Sequence, residues 1–461
     1  MKKLVGLIIV VGVYVAASWY TGVQGEKNLR QQMALAEAQS EAQGVKLILN
    51  DYQRGIFFSE MNVSAVYTSP AIPEMHFKAD SVSKIQHGPI YFTGGVGVGL
   101  FSSVSTLMIH TGIEEIDQKL QEIFGESIGE FVTVGHFNST YTSTWSLPAI
   151  DTAGSNGSQF TLAPSRIKVS GRYDQLDATG SFEIGALEVI ADNSRVTTTP
   201  IVGSFDTDNI ADQVNITNLD TLVETISYSD RAMGQSFSID QLKVVQTQKL
   251  VNGKIDTVVS LTADKVNSPV EISALSYVLT LNQLDPVAMQ VWADFNQSLQ
   301  QDPEHLDEEK LAELLAVVLQ EGLQFKLDIG AGFMGGNALV NLTANYKALP
   351  NGQQVLDIHD PVDYFKLADA DALITMSGSI VNQTPLGMMV GQYLNTYITL
   401  EGDNYVVRAS LKNGKLMVGN TEVPVETLLM FLPSSDATAY EADMSEEHML
   451  HEEGLMAEEV L

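Results

Sequence analysis

At 461 residues the chain is long enough for two or three ordinary domains, although long β proteins run past that length as one body. Its 57 acidic side chains against 25 basic ones give a formal charge of −32, which repels polyanions and argues against nucleic acid as a partner. There is no cysteine, which excludes disulfides, thiolate metal sites, cysteine nucleophiles and a lipid carried on cysteine, while 17 Phe, 15 Tyr and a 44% hydrophobic content suffice for a packed core.

Lys2 and Lys3 precede a charge-free run from Leu4 to Gln24. At 1.5 Å per residue this run reaches about 30 Å, enough to cross a hydrocarbon core once. The lysines on one side and Trp19 and Tyr20 on the other orient it with the N-terminus cytoplasmic and the body exported. Residues 1–24 are therefore expected to be a transmembrane signal anchor. The alternative is a cleaved signal peptide, because Val15-Ala16-Ala17 and Ala16-Ala17-Ser18 resemble small-residue cleavage sites.

Residues 25–44 are rich in strong helix formers, with Leu29, Met33 and Ala36 on one side and Gly44 as a stop, and are expected to form a polar stalk helix. The period then changes to two. Val45, Leu47 and Leu49, and then Met61, Val63, Ala65 and Tyr67, predict a hairpin around Gln53-Arg54-Gly55. Within it Tyr52 and Phe57 are placed to pack across the hairpin, and Arg54 to pair with Asp51 or Glu60.

Further strands are expected over 77–86, 90–108, 131–146, 160–171, 180–191, 195–205, 240–249, 257–265 and 270–281. A helix is expected where Ile113, Ile116, Leu120 and Ile123 recur at helical spacing. Residues 45–285 thus read as a β-rich region, 286–324 as a helical insertion with an amphipathic stretch from Leu306 to Leu319, and 325–436 as a second β-rich region. Asn413-Gly414 carries a strong hairpin signal. The remainder, 437–461, is acidic and reads as a mobile tail or a short amphipathic helix. The expected fold is mainly β with a few helices (α+β): an N-terminal transmembrane helix, then a long, twisted antiparallel sheet with amphipathic helices packed on it.

No nucleotide-binding loop, metalloprotease helix or nucleophile elbow is present at the required spacing, so no catalytic, cofactor-binding or metal-ligating residue is assigned and no cofactor is expected. Gly94 to Gly99 lacks the Lys and Ser/Thr of a phosphate loop and reads as a permissive turn. Asp206, Asp208 and Asp212 do not match a calcium loop, and His448 and His451 are a weak metal signal in the tail. His87-Gly88-Pro89 is the most specific polar motif, read as a rigid turn closing a strand.

Trp19-Tyr20-Thr21-Gly22, the stretch from Tyr52 through Arg54, Gly55 and Phe57 to Ser59, and His87-Gly88-Pro89 together resemble the N-terminal pattern of the YdgA family of proteobacterial envelope proteins. Leu319 to Gly322, Gly336 to Leu339, and Asn413-Gly414-Lys415-Leu416 with Gly419-Asn420 are similar to its C-terminal elements. The resemblance is diffuse between Tyr173 and Leu281 and stops at the tail after Ala437. It implies a single-pass inner-membrane protein with a periplasmic domain, no assigned activity and no catalytic residues to carry over.

The function expected from these observations is non-enzymatic binding or scaffolding in the Gram-negative envelope. The membrane is engaged through residues 4–24, and a lipid, another hydrophobic envelope component or an envelope protein is the candidate partner. The alternatives are a hydrolase using His87, and a structural protein that self-associates through Leu306 to Leu319 or an open sheet edge.

Overall fold

The computed structural model describes residues 2–41, 45–68, 76–289, 291, 317, 322–349 and 365–425, apart from positions 126, 155, 156, 174, 176, 192, 212 and 213. For residues 2–12 it describes the backbone alone. Most of the expected helical insertion, its amphipathic stretch and the acidic tail lie outside the described residues.

One helix, α1 (Lys2–Glu41), covers both the expected anchor and the expected stalk without a break between them. Among the described residues no helix is long and apolar enough to cross a membrane. The strands that follow are β1 (Val45–Arg54), β2 (Phe58–Thr68), β3 (His76–His87), β4 (Ile90–Tyr91), β5 (Gly97–Val98) and β6 (Phe101–His110). Helix α2 (Glu114–Phe124) sits where the isoleucine and leucine spacing placed it. After it come β7 (Glu130–Gly135), β8 (Thr140–Leu147), β9 (Ile150–Ala153), β10 (Gln159–Leu162), β11 (Ser165–Arg172) and β12 (Ala178–Ile184).

The middle of the chain holds β13 (Leu187–Ala191), β14 (Ser194–Thr198), β15 (Ile201–Ala211) and the long strands β16 (Val214–Asp230), β17 (Gln235–Val251), β18 (Lys254–Asn267) and β19 (Ile272–Leu284). Last are β20 (Leu323–Phe333), β21 (Gly336–Tyr346), β22 (Ala368–Ser377), helices α3 (Gly378–Gln383) and α4 (Leu386–Tyr393), β23 (Ile398–Glu401), β24 (Asn404–Lys412), β25 (Lys415–Val418) and β26 (Thr421–Val423).

All strands except β4 and β5 belong to one antiparallel sheet. Its order is close to a plain meander. The expected run 131–146 is not one strand but the hairpin of β7 and β8, and the runs 160–171, 180–191 and 195–205 are each divided between two strands. Strands β8 and β9 part at Pro148, β10 and β11 at Pro164, β12 and β13 at Gly185, and β14 and β15 at Pro200. Because β9 pairs with β10, β10 with β13, and β13 with β14, while β8, β11, β12 and β15 pair in the same sequence, the four interruptions line up across the sheet. A proline lacks the N–H that a ladder needs, so three of them in a row make a crease. Ser165 Oγ partly repairs it by accepting from the Gly185 N–H at 2.9 Å.

Other expectations are corrected by the structure. The run 90–108 is not one strand, because Gly94 and Gly95 at positive φ turn the chain between β4 and β5 before β6 begins. Strand β16 was not anticipated, although it joins the creased half of the sheet to the long central strands. Arg54 pairs with neither Asp51 nor Glu60; its guanidinium meets Glu26 of α1 at 3.2 Å.

The meander segregates its side chains. In antiparallel pairs, residues directly opposite each other share a face. Val259, Leu279, Leu327, Leu342, Ala372 and Ala409 form one such row across six strands. Leu261, Tyr277, Ile329, Val340, Ile374 and Val407 form the next. The opposite face carries Lys326, Asp328, Asn341, Thr343, Asp371 and Arg408.

Candidate functional site

Two features of the sheet's apolar side bear on function: the seam where α1 docks, and the partly buried rows beyond it.

The seam is built in order along α1. Tyr14 stacks on Phe57 at a ring distance of 6.1 Å, and its hydroxyl donates to the Ile90 carbonyl at 3.2 Å. Thr21 Oγ1 lies 2.9 Å from the Gly88 carbonyl and 3.0 Å from that of Ser18. Gly22 rests on the imidazole of His87, and Gly25 on Phe101. Glu26 holds Arg54 and Arg30, and the Arg30 guanidinium lies 5.4 Å from the centre of the Tyr52 ring. Leu29 then joins the buried cluster of Ile85, Leu100, Phe101 and Tyr173. Phe57, expected to pack across its own hairpin, is turned to α1 instead, whereas Tyr52 does cross the hairpin to Ser59 at 3.3 Å.

The structure therefore gathers most of the motif residues singled out in the sequence. Gly22, Tyr52, Arg54, Phe57, Ser59, His87 and Gly88 all lie in this seam, with Gly55 at the hairpin turn and Pro89 after the strand. Trp19 and Tyr20 are on the exposed side of α1. Asn413 and Gly414 lie elsewhere, in the β24–β25 turn, both at positive φ as the turn requires.

His87 is the centre of the seam. Its Nδ1 is 2.9 Å from the Ile56 carbonyl, which only accepts, so Nδ1 carries the proton and Nε2 is the acceptor. Ser59 Oγ, 2.8 Å from Nε2, therefore donates to it, and Tyr52 donates to Ser59. Burial pushes the imidazole below its usual pKa; the Arg54 charge acts in the same direction, and the Ile56 bond and Glu26 oppose it.

A serine donating to an imidazole is the geometry of a nucleophile and its base. Here both side chains are only 2% exposed. Gly22 covers the ring so closely that a Cβ on it would stand 2.4 Å from Nδ1. The far nitrogen donates to a neutral carbonyl rather than to a carboxylate, so the hydrogen-bonded anion that steadies an imidazolium in a catalytic triad is replaced by a weaker acceptor. The arrangement fastens a helix to a sheet. Among the described residues no group of His, Asp and Glu is placed to hold a metal ion.

Beyond the seam the apolar rows are only partly buried. Of the twelve residues in the two rows named above, none is fully buried, and Ile374 is 39% exposed. Fully buried apolar clusters lie under α1, around Val214 and Ile255, and around Leu411 and Leu416, the last directly beside the first row through Ala370 and Leu411. In the creased half the floor is made flatter by two phenylalanines. Phe205 occupies the space above Gly180, and Phe182 that above Gly203, each on the strand opposite, where a Cβ would come within 2.4 Å of a ring carbon. Neither this floor nor the Ser59–His87 contact was read from the sequence.

The chain belongs to a bacterial protein family of unknown function, DUF945, whose model matches residues 1–426. No curated protein and no solved structure matches it.

Proposed function

We propose that this member of the DUF945 family is a non-enzymatic envelope protein, anchored in the inner membrane through residues 4–24 of α1, whose periplasmic sheet binds the hydrocarbon part of a lipid or a similar hydrophobic envelope component. The observation that carries the proposal is the pair of contiguous apolar rows from β18 to β24, all half-buried or exposed. An apolar surface of that extent on a folded chain is the mark of a ligand or interaction surface. The charge-free run, the preceding lysines and the resemblance to envelope proteins support the address.

Native mass spectra of the full-length protein in mild detergent, with lipid extraction of the same sample, test this reading. The expected result is a reproducible bound lipid that is lost in Leu342→Asp. A protein that carries nothing, or a load unchanged by that substitution, would oppose it. The Ser59–His87 contact raises hydrolysis as a second reading, and the sealed geometry around Gly22 weighs against it.

A further inference from the structure

We infer that the uncharged face of the sheet is a path along which the hydrocarbon chains of a membrane lipid move between the α1 seam and β24, so that the protein transfers lipid along its sheet instead of holding it at one place. The inference rests on the reading of the apolar rows as a lipid surface and deepens it.

Both rows run far beyond β18. The row through Val259 and Leu342 passes back, each residue directly opposite the next, through Gln246, Leu219, Phe205, Gly180 and Val169, and ends on Ile85 of the seam. The row through Leu261 and Val340 passes through Val244, Thr221, Phe182, Ile167 and Trp145 and ends on Ser83. Neither meets a charged side chain in any of its fifteen strands. The row that lies between them on the opposite face meets Lys84, Lys168, Asp220, Asp328 and Arg408. Directly opposed residues share a face, so charge has been kept off one side of the sheet over its whole width. Water on that side would not require this, whereas hydrocarbon does.

The polar groups of the same face are bonded within the sheet. The Ser83 hydroxyl lies 2.7 Å from that of Ser105, Thr133 2.9 Å from Ser143, and Thr207 3.3 Å from Thr217. Gln246 Nε2 donates to the Thr217 carbonyl, while Gln248 accepts from the Thr217 N–H and donates to the Thr257 hydroxyl. An acyl chain offers no hydrogen bond, so a surface over which it slides must satisfy itself.

Length separates a path from a pocket. Helix α1 packs on β1, β3 and β6, so the rows emerge beside it at β7. From β7 to β24 none of their residues is fully buried. At about 4.8 Å per strand these thirteen strands extend roughly 60 Å. The chains of one leaflet occupy only about 15 Å, half of a hydrocarbon core of roughly 30 Å. A site for one lipid would need a fraction of this floor. It is not broken at the glycines of the creased half, where Phe205 and Phe182 fill the space over Gly180 and Gly203. One end lies against the helix that carries the anchor, which makes the membrane the source of the lipid.

For the test, full-length protein is reconstituted into phosphatidylcholine vesicles in which part of the lipid carries a diazirine in its acyl chain, and the residues crosslinked on illumination are located by fragmentation. Charge is set across both rows midway, by Leu219→Asp with Thr221→Asp on β16 and, independently, by Val244→Glu with Gln246→Glu on β17. The parent is expected to be marked at Ile167 and Val169 and also at Leu327 and Leu342. Either block should reduce the second pair to background and spare the first, which also shows that the variant is folded. Ser181→Asp, opposite Lys168 on the charged face, should change neither. Crosslinks at Leu342 undiminished by both blocks overturn the path and leave lipid binding standing. A parent marked at one end only, or loss at both ends in a blocked protein whose circular dichroism matches the parent's, also overturns it. A parent marked at neither end removes the lipid reading itself.

Discussion

A methyl group on Gly22 of α1 would stand 2.4 Å from Nδ1 and 2.6 Å from Cε1 of His87, so these two residues set how closely the helix lies on the sheet. Gly22→Ala is accordingly expected to force the helix outward and lower stability by about 1–3 kcal/mol, the usual range for overpacking. Gly391→Ala in α4, where nothing lies within 4 Å, is expected to raise stability by up to about 1 kcal/mol through helix propensity. Denaturant midpoints of the two variants, measured side by side, check the contrast.

Ser59→Ala removes the donor to a buried imidazole nitrogen, and a loss of about 1–3 kcal/mol is expected. Because the serine is sealed, the same substitution is expected to leave any ester turnover by the purified protein unchanged. A hydrolytic activity abolished by Ser59→Ala would refute the structural role given to the pair.

The depressed pKa of His87 has a definite sign. An unfolded chain protonates this histidine near the ordinary value of about 6.5, whereas the folded chain resists until a lower pH, so the unfolded state binds more protons in between. Stability should therefore fall as pH drops from about 7 towards 5. His87→Gln should weaken that dependence. Thermal melts of both proteins at pH 7.5 and 5.5 test it, above the range where Asp80 and Asp285, whose carboxylates are held below their usual pKa, begin to titrate.

Ser18 is fully buried in the seam, and among the described residues its hydroxyl has no hydrogen-bond partner. Ser18→Ala should be neutral or stabilising by up to about 1 kcal/mol, since it removes an unmet polar group at little cost in volume. A clear loss of stability would mean that the hydroxyl is satisfied in solution by water.

Local chemistry made part of this fold legible. Gly55 and Asn413-Gly414 marked their hairpins because positive φ or tight turns need those residues, and α2 followed from four apolar positions at helical spacing. Strand β16 was missed because Asn215, Thr217, Asn218, Asp220 and Thr221 dilute its alternation; it is a strand because β14, β15 and β17 supply partners along both edges. The crease was visible in Pro148, Pro164 and Pro200 taken singly, but their alignment is a property of register. The seam was half legible. Its residues stood out as motifs, yet Arg54 finds Glu26, and His87 finds Ser59, on other elements 28 residues away, a distance no local pattern spans.

The most direct test of the central claim is photocrosslinking of the full-length protein with a phospholipid carrying a diazirine in its acyl chain, with the modified residues located by fragmentation. Crosslinks on Leu279, Leu327, Leu342 or Ile374, with none on Thr343 or Asp371 of the opposite face, are the predicted result. Crosslinks confined to α1 and its flanking loops, with the apolar rows of β18 to β24 unmarked, would contradict it.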